Sequence, residues 1–159
     1  MDISIQDAVL KDAEEILFLQ KLAYRSEAEI YEDDSIPPLA QTLGEIGLEF
    51  DDHLFLKAVR NHRIAGSVRA RLIGETCHIG KLIVHPNQQN QGIGSRLMNA
   101  VESRFPQAQR FELFTGHRSE RNLYLYQKLG YRIFQTITLN ERLQLVYLEK
   151  RREEQSPTP

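Results

Sequence analysis

The sequence predicts one mixed α/β domain, and three observations predict it. Stretches with apolar residues at every second position alternate with stretches in which they recur every third or fourth. No repeat, linker or low-complexity segment divides the 159 residues. Between Thr76 and Arg104 a long strand pattern passes through a polar, glycine-bearing loop into a helix pattern, the connection expected where a sheet and its covering helices share one core. At 41% hydrophobic and 26% charged, a chain of this length buries enough apolar surface to fold without a disulfide or metal staple.

The elements follow in order. Met1 to Gln6 alternates, with Ile3 and Ile5 apolar, and reads as a short strand. Asp12 with Glu15 resembles a capping box ahead of Ile16, Leu17, Leu19, Ala23 and Tyr24, so a helix is predicted to about Tyr24 or Arg25. The acidic stretch from Glu27 to Pro38, with Glu27, Glu29, Glu32, Asp33 and Asp34, reads as a solvated loop stopped by Pro37-Pro38. Thr42 and Glu45 offer a second capping box before Leu43, Ile46 and Phe50. His53 to Arg60 and Arg63 to Leu72 flank Asn61-His62, a tight hairpin turn. Gly74-Glu75 turns the chain into a strand from Thr76 to His85, stopped by Pro86. Helical spacing returns at Ile93, Leu97, Met98 and Val101 and ends before Pro106. Phe111 to Thr115 is a strand, Ser119 to Leu129 a helix closed by Gly130, and Tyr131 to Ile137 and Gln144 to Lys150 a closing pair of strands. One domain over 1–150 and a polar tail over 151–159 result. A homodimer built on the apolar run Leu143 to Leu148 is one reading of that strand, and burial within the sheet is the other.

Composition narrows the partners. Net charge is −2 with both signs interspersed, which argues against nucleic acid or an anionic membrane as the main partner. No run of about 18 apolar residues is present to span a bilayer, and the polar N-terminus does not read as a signal peptide. Cys77 is the single cysteine, as in a reducing, cytoplasmic setting. His53, His62, His85 and His117 lack metal-ligand spacing, and no metal site is predicted.

The loop Gln89-Asn90-Gln91-Gly92-Ile93-Gly94-Ser95 is the most informative stretch. Two glycines at the mouth of a helix let several backbone N–H groups converge, and the helix end adds partial positive charge suited to a pyrophosphate. Gln89 and Ser95 add side-chain donors. A dinucleotide fingerprint would place glycine where Leu97 stands, and a nucleotide triphosphate loop would need lysine after Gly94. A glycine-rich turn without a ligand is the plain alternative.

The pattern Gln-x-x-Gly-x-Gly resembles the coenzyme A pyrophosphate loop of the GNAT acetyltransferase superfamily. The resemblance extends upstream through Leu82-Ile83-Val84-His85-Pro86. Downstream, Leu125-Tyr126-Gln127-Lys128-Leu129-Gly130-Tyr131 is similar to the family's second signature, and the two motifs stand in the family's order. The resemblance implies the GNAT fold: a twisted, mixed but mostly antiparallel sheet of about six or seven strands with about four helices, ordered β-α-α-β-β-β-α-β-α-β-β. It implies acetyl-coenzyme A as donor and an amine-bearing small molecule, peptide or protein as acceptor. Many members carry asparagine seven residues before the tyrosine, where this chain has Ser119; Asn122 is the residue expected to take over its contact to the cofactor.

The family's chemistry assigns expected roles. Leu82, Ile83 and Val84 would pair through their backbone with the pantetheine arm, and an N–H of Leu82 or Ile83 would steady the charge developing on the thioester oxygen. Gly80 is a candidate for a bulge in that strand. Gln89, Asn90, Gln91, Gly92, Ile93, Gly94 and Ser95 would cradle the pyrophosphate. Tyr126 would be the general acid, a phenol still protonated at neutral pH. His78 is the candidate general base, with Glu27, Glu29 and Glu32 as rivals. Cys77 and His78 are adjacent on a strand and point to opposite faces, so direct transfer is favoured over an acetyl-cysteine. A silent acyl-coenzyme A-binding module, keeping the loop without the chemistry, is the alternative function.

Overall fold

A computed structural model of the chain describes residues 2–152. The predicted tail over 151–159 lies outside the described residues from position 153 onward. The strands are β1 (Ser4–Asp7), β2 (Leu54–Arg60), β3 (Arg63–Ile73), β4 (Thr76–Val84), β5 (Arg110–Gly116), β6 (Arg132–Thr138) and β7 (Gln144–Arg151), and the helices are α1 (Ala13–Tyr31), α2 (Pro37–Ala40), α3 (Leu43–Glu49), α4 (Ile93–Arg104) and α5 (Glu120–Lys128). The strands form one seven-stranded sheet in the order β1-β2-β3-β4-β5-β7-β6. Every neighbouring pair is antiparallel except β4 and β5, which run parallel.

Two cores sandwich the sheet. On one face Ile93, Leu97, Met98 and Val101 of α4 and Tyr126 of α5 pack on Val68, Ala70, Cys77, Phe111 and Leu148. On the other, Ala13, Ile16 and Leu19 of α1 and Ile46 of α3 pack on Phe55, Ile64 and Ile83. The apolar pattern of Leu143 to Leu148 is accounted for inside the sheet: β7 lies between β5 and β6, and Val146 and Leu148 are buried. Among the described residues no helix is long and apolar enough to cross a membrane.

Local chemistry explains most boundaries. Asn61 and His62 both take positive φ, 53° and 65°, the two-residue hairpin turn whose twist matches its strands. Thr42 Oγ1 accepts from the Glu45 N–H, and Glu45 accepts from the Thr42 N–H, which closes the predicted capping box. Gly130, at φ 100°, lets the chain leave α5 while the Tyr131 N–H returns to the Tyr126 carbonyl.

Two expectations need correction. Asp12 and Glu15 do not form a capping box: Asp12 accepts from the Val9 N–H, and Glu15 reaches across to accept from the Ile64 N–H of β3 at 2.7 Å. The helix also does not stop near Arg25 but continues to Tyr31 through what reads as an acidic loop. Its last turn buries Ala28 and Tyr31, and its terminal carbonyls are claimed from afar. Arg118 donates to Ile30 O at 2.9 Å and Arg142 to Glu32 O at 2.6 Å, cationic partners suited to the negative end of a helix.

The bulge in β4 falls at Lys81-Leu82, not at Gly80. Gly80 pairs regularly with Arg69 and Ile83 with Ser67, so two residues of β4 face Val68 alone. Lys81 adopts φ 52°, a left-handed conformation that costs a residue with a Cβ about 1 kcal/mol or more. The extra residue inverts the strand's alternation. Cys77 and Ile79 point to the α4 core, whereas Ile83, after the bulge, points to the α1 core.

Candidate active site

Pairing between β4 and β5 covers only Thr76, Cys77 and His78 against Arg110, Phe111 and Glu112. Beyond that the strands part, because β4 bends at its bulge while β5 stays bonded to β7 as far as Gly116. Among the described residues, the edge of β4 that faced β5 has no strand partner from Ile79 to Val84, while its other edge still pairs with β3. A cleft of about 670 Å³ opens at this parting, with Leu82, Ile83 and Val84 in its wall. Such an edge offers N–H and C=O groups to any extended ligand.

The glycine loop forms another side of the cleft. Gln89, Asn90, Gly92, Ile93, Gly94 and Ser95 all line it. Asn90 and Gly92 take positive φ, and Gly92 caps α4 without any side-chain hydrogen bond, so the first N–H groups of the helix remain available to an anion. The two glycines act differently. A Cβ on Gly92 would meet open space, so its φ of 79° is what requires glycine, whereas one on Gly94 would lie 3.1 Å from Leu125 Cδ2. Gly94 therefore lets α4 and α5 approach, and that contact brings Asn122 to the cleft, where it donates to Thr115 Oγ1 at 3.3 Å.

Gln91 is the exception in the loop. It does not line the cleft; its Oε1 accepts from Arg60 Nη1 at 2.6 Å, and the same guanidinium holds Gln88. Arg60 thus ties the loop to the end of β2, a support that sequence spacing could not reveal.

Tyr126 is 5% exposed and lies in the α4 core, so its ring does not line the cleft. Burial pushes its phenol well above the usual tyrosine value, and the nearby Tyr24 and Glu27 add to that. Tyr24 and Glu27 both line the cleft, as do Tyr124 and Leu125, the residues just before Tyr126 in α5. Tyr24 itself is pushed up to about 12, mainly by burial, then by Glu27. The neighbouring Tyr131 donates to Glu102 at 3.0 Å, a structural bond; among the described residues nothing bonds the Tyr126 hydroxyl.

His78 does not line the cleft. It sits on the paired part of β4, half-exposed, with Nδ1 3.6 Å from Glu112 Oε2. Cys77 faces the opposite way and is fully buried, its thiol pushed up to about 12 by burial and then by Glu102. A thiol so far from its thiolate is a poor nucleophile. Cleft residues to which the sequence reading gave no site role include Tyr24, Arg118, Glu120, Arg121, Tyr124 and Lys128.

Residues 13–131 match the profile of the acetyltransferase (GNAT) family. The chain belongs to that family. Its fold is similar to the PaiA N-acetyltransferase of Thermoplasma acidophilum in complex with coenzyme A, with TM-score 0.73 and 20% identity over 96% of this chain and 100% of that one. It is also similar to the ribosomal-protein-S18-alanine N-acetyltransferase of Escherichia coli, with TM-score 0.79 and 13% identity over 99% of both chains. YncA of Salmonella typhimurium with its cofactor acetyl-CoA gives TM-score 0.75 and 16% identity over 98% of both. At these identities the likeness speaks for the fold. In sequence, the UPF0157 protein YqkA of Bacillus subtilis (strain 168) is 28% identical over 125 residues, 79% of this chain, which spans 36% of that relative's length.

Within this GNAT chain the serine at position 119 has a structural explanation. Ser119 is buried and donates to Glu27 Oε2 at 2.5 Å, while its Oγ also lies 2.8 Å from the Tyr31 hydroxyl. Gly116 makes room for this contact: a Cβ there would come within 2.0 Å of the Tyr31 hydroxyl. Gly116→Ala is therefore expected to displace Tyr31 and destabilise the chain by about 1–3 kcal/mol, read as a lower urea midpoint. A shift below about 0.5 kcal/mol would show that Tyr31 moves aside at little cost.

Proposed function

We propose that this chain transfers the acetyl group of acetyl-coenzyme A to a primary amine of a small molecule, peptide or protein, directly, with both substrates bound together. The observation that carries the reading is the continuity of the cleft. An uncapped helix end suited to a pyrophosphate, an unpaired strand edge, and Tyr24 and Glu27 all line one cleft, with Tyr126 buried next in sequence to the lining residue Leu125. Coenzyme A has that sequence of parts, an anionic diphosphate followed by an amide-bearing arm and a reactive sulfur. Structural neighbours that hold coenzyme A or acetyl-CoA support the same donor.

Each group then has a task. N–H groups of Ile93, Gly94 and Ser95 hold the diphosphate, with Gln89 and Asn90 beside them and Asn122 in the opposite wall. The edge of Leu82 to Val84 aligns the pantetheine arm, and one of its N–H groups faces the carbonyl oxygen as negative charge grows there. Tyr126 supplies a proton to the departing thiolate. Its burial keeps the phenol protonated throughout the neutral range, and the same dry surroundings raise the demand of the thiolate for that proton. The inert thiol of Cys77 supports direct transfer. His78, outside the cleft, is left without a role in this mechanism.

The test is a titration of the chain with acetyl-coenzyme A, followed by thiol release with alkylamines, polyamines, amino sugars and peptides bearing free N-termini or lysines. Saturable binding and a product heavier by one acetyl group are expected. Absence of saturable binding would sink the proposal, and binding without transfer to any amine would favour the silent acyl-coenzyme A module.

A further inference from the structure

An alkylammonium has no lone pair with which to attack, so acetyl transfer requires a group that accepts its proton. Two carboxylates line the cleft among the described residues, Glu27 and Glu120. Glu120 is exposed in the first turn of α5. Glu27 is half-buried and held in place by a relay whose direction is set at its far end. The Arg118 N–H, able only to donate, gives its proton to the Tyr31 hydroxyl at 2.9 Å. Tyr31 is then left to donate to Ser119 Oγ at 2.8 Å, and Ser119 donates to Glu27 Oε2 at 2.5 Å. Every proton points toward the carboxylate, and Oε1 stays outside the relay.

The groups around Glu27 come from several elements: Tyr24 and Tyr31 from α1, Arg118 and Ser119 from the segment entering α5, and Tyr126 from α5 itself. The negative charge of Glu27 contributes, after burial, to the raised pKa of both Tyr24 and Tyr126. Glu27 lines the same cleft as Leu82, Ile83 and Val84, and its Ser119 bond fixes the carboxylate there.

We infer that Glu27 is the general base of the transfer, taking a proton from the bound ammonium, and that Ser119 and Tyr31 are positioning residues that aim it. This rests on the acetyl-transfer reading above and goes beyond it. The proton passes from the ammonium nitrogen to the Glu27 carboxylate and frees the nitrogen lone pair. That pair forms the new N–C bond at the thioester carbonyl carbon, and the C=O π pair moves onto oxygen. Its return breaks the C–S bond, whose electrons leave on sulfur and take the proton of Tyr126. The second nitrogen proton restores the Tyr126 phenol, and Glu27 releases its proton to solvent.

Wild type, Glu27→Gln, Glu27→Asp and Ser119→Ala are compared with the best amine of the panel, with calorimetric titration of acetyl-coenzyme A as the binding readout. All four are expected to bind acetyl-coenzyme A within about twofold of one another. At pH 7, Glu27→Gln lowers kcat/KM by about 10²–10³-fold. The deficit shrinks to about tenfold or less near pH 10, where an alkylamine is substantially neutral without help. Glu27→Asp recovers part of the rate, and Ser119→Ala loses about tenfold at pH 7 with the same recovery at high pH. A Glu27→Gln deficit under about threefold at pH 7, or one of equal size at both pH values, would overturn the assignment. If the wild type binds and transfers while Glu27→Gln does so equally well, this inference alone falls. A wild type that does not bind acetyl-coenzyme A removes the acetyl-transfer reading and this inference with it.

Discussion

Replacing Tyr126 with phenylalanine is expected to lower kcat by about 10²–10⁴-fold, the range of a positioned proton donor, while leaving the dissociation constant of acetyl-coenzyme A within about threefold. The asymmetry is the point. The ring of Tyr126 fills the core between α4 and β5, and phenylalanine preserves that packing; only the hydroxyl is lost, and among the described residues nothing bonds it. Because burial lifts this phenol far above the usual range, it stays protonated from pH 6 to pH 9. The deficit should therefore be flat over that interval. Stopped-flow or steady-state assays across those pH values, paired with calorimetric binding, decide it. Full turnover in Tyr126→Phe would remove the tyrosine from the chemistry and leave it as core.

The largest loss of stability is expected from Arg69→Ala. The guanidinium of Arg69 is 3% exposed, donates to Glu49 Oε2 at 2.6 Å and Gln20 Oε1 at 2.5 Å, and lies 4.7 Å over the Phe55 ring. Gln20 also donates to Pro38 O and Gln41 Oε1, both at 2.9 Å, and Gln41 to Glu49 at 2.5 Å. One arginine of β3 thereby fastens α1, α2 and α3. Removing it leaves a fully buried glutamine and a half-buried carboxylate short of partners, which is expected to cost about 2–4 kcal/mol. Urea unfolding measures it, and a loss below about 1 kcal/mol would mean that water takes over the vacated bonds. Since α1 also carries Tyr24 and Glu27, any folded fraction of the variant should transfer acetyl more slowly than wild type.

The periodic elements were legible from residue order alone because their signals are local. Alternation marked the strands, the Thr42–Glu45 box and Gly130 marked helix ends, and Asn61-His62 marked a hairpin. The glycine loop was legible for the same reason: a left-handed Gly92 ahead of a helix leaves its mark in the residues themselves. Where prediction failed, distance along the chain was the cause. The acidic stretch after Glu27 reads as loop by composition, yet it is helix to Tyr31 because Arg118 and Arg142 reach its carbonyls and Gly116 leaves room for its tyrosine.

Residue order by itself determined the fold class, the order of the strands and the place of the glycine loop before α4, since backbone propensity and hydrophobic period act over a few neighbours. The tertiary structure decided where β4 and β5 part, which way β4 faces after Lys81, and that Glu27 rather than His78 meets the cleft. Those outcomes depend on bonds between residues far apart in the chain, Ser119 to Glu27 and Arg69 to Gln20 among them. No local pattern encodes such a meeting; only the packing of two helices against opposite faces of one sheet brings it about.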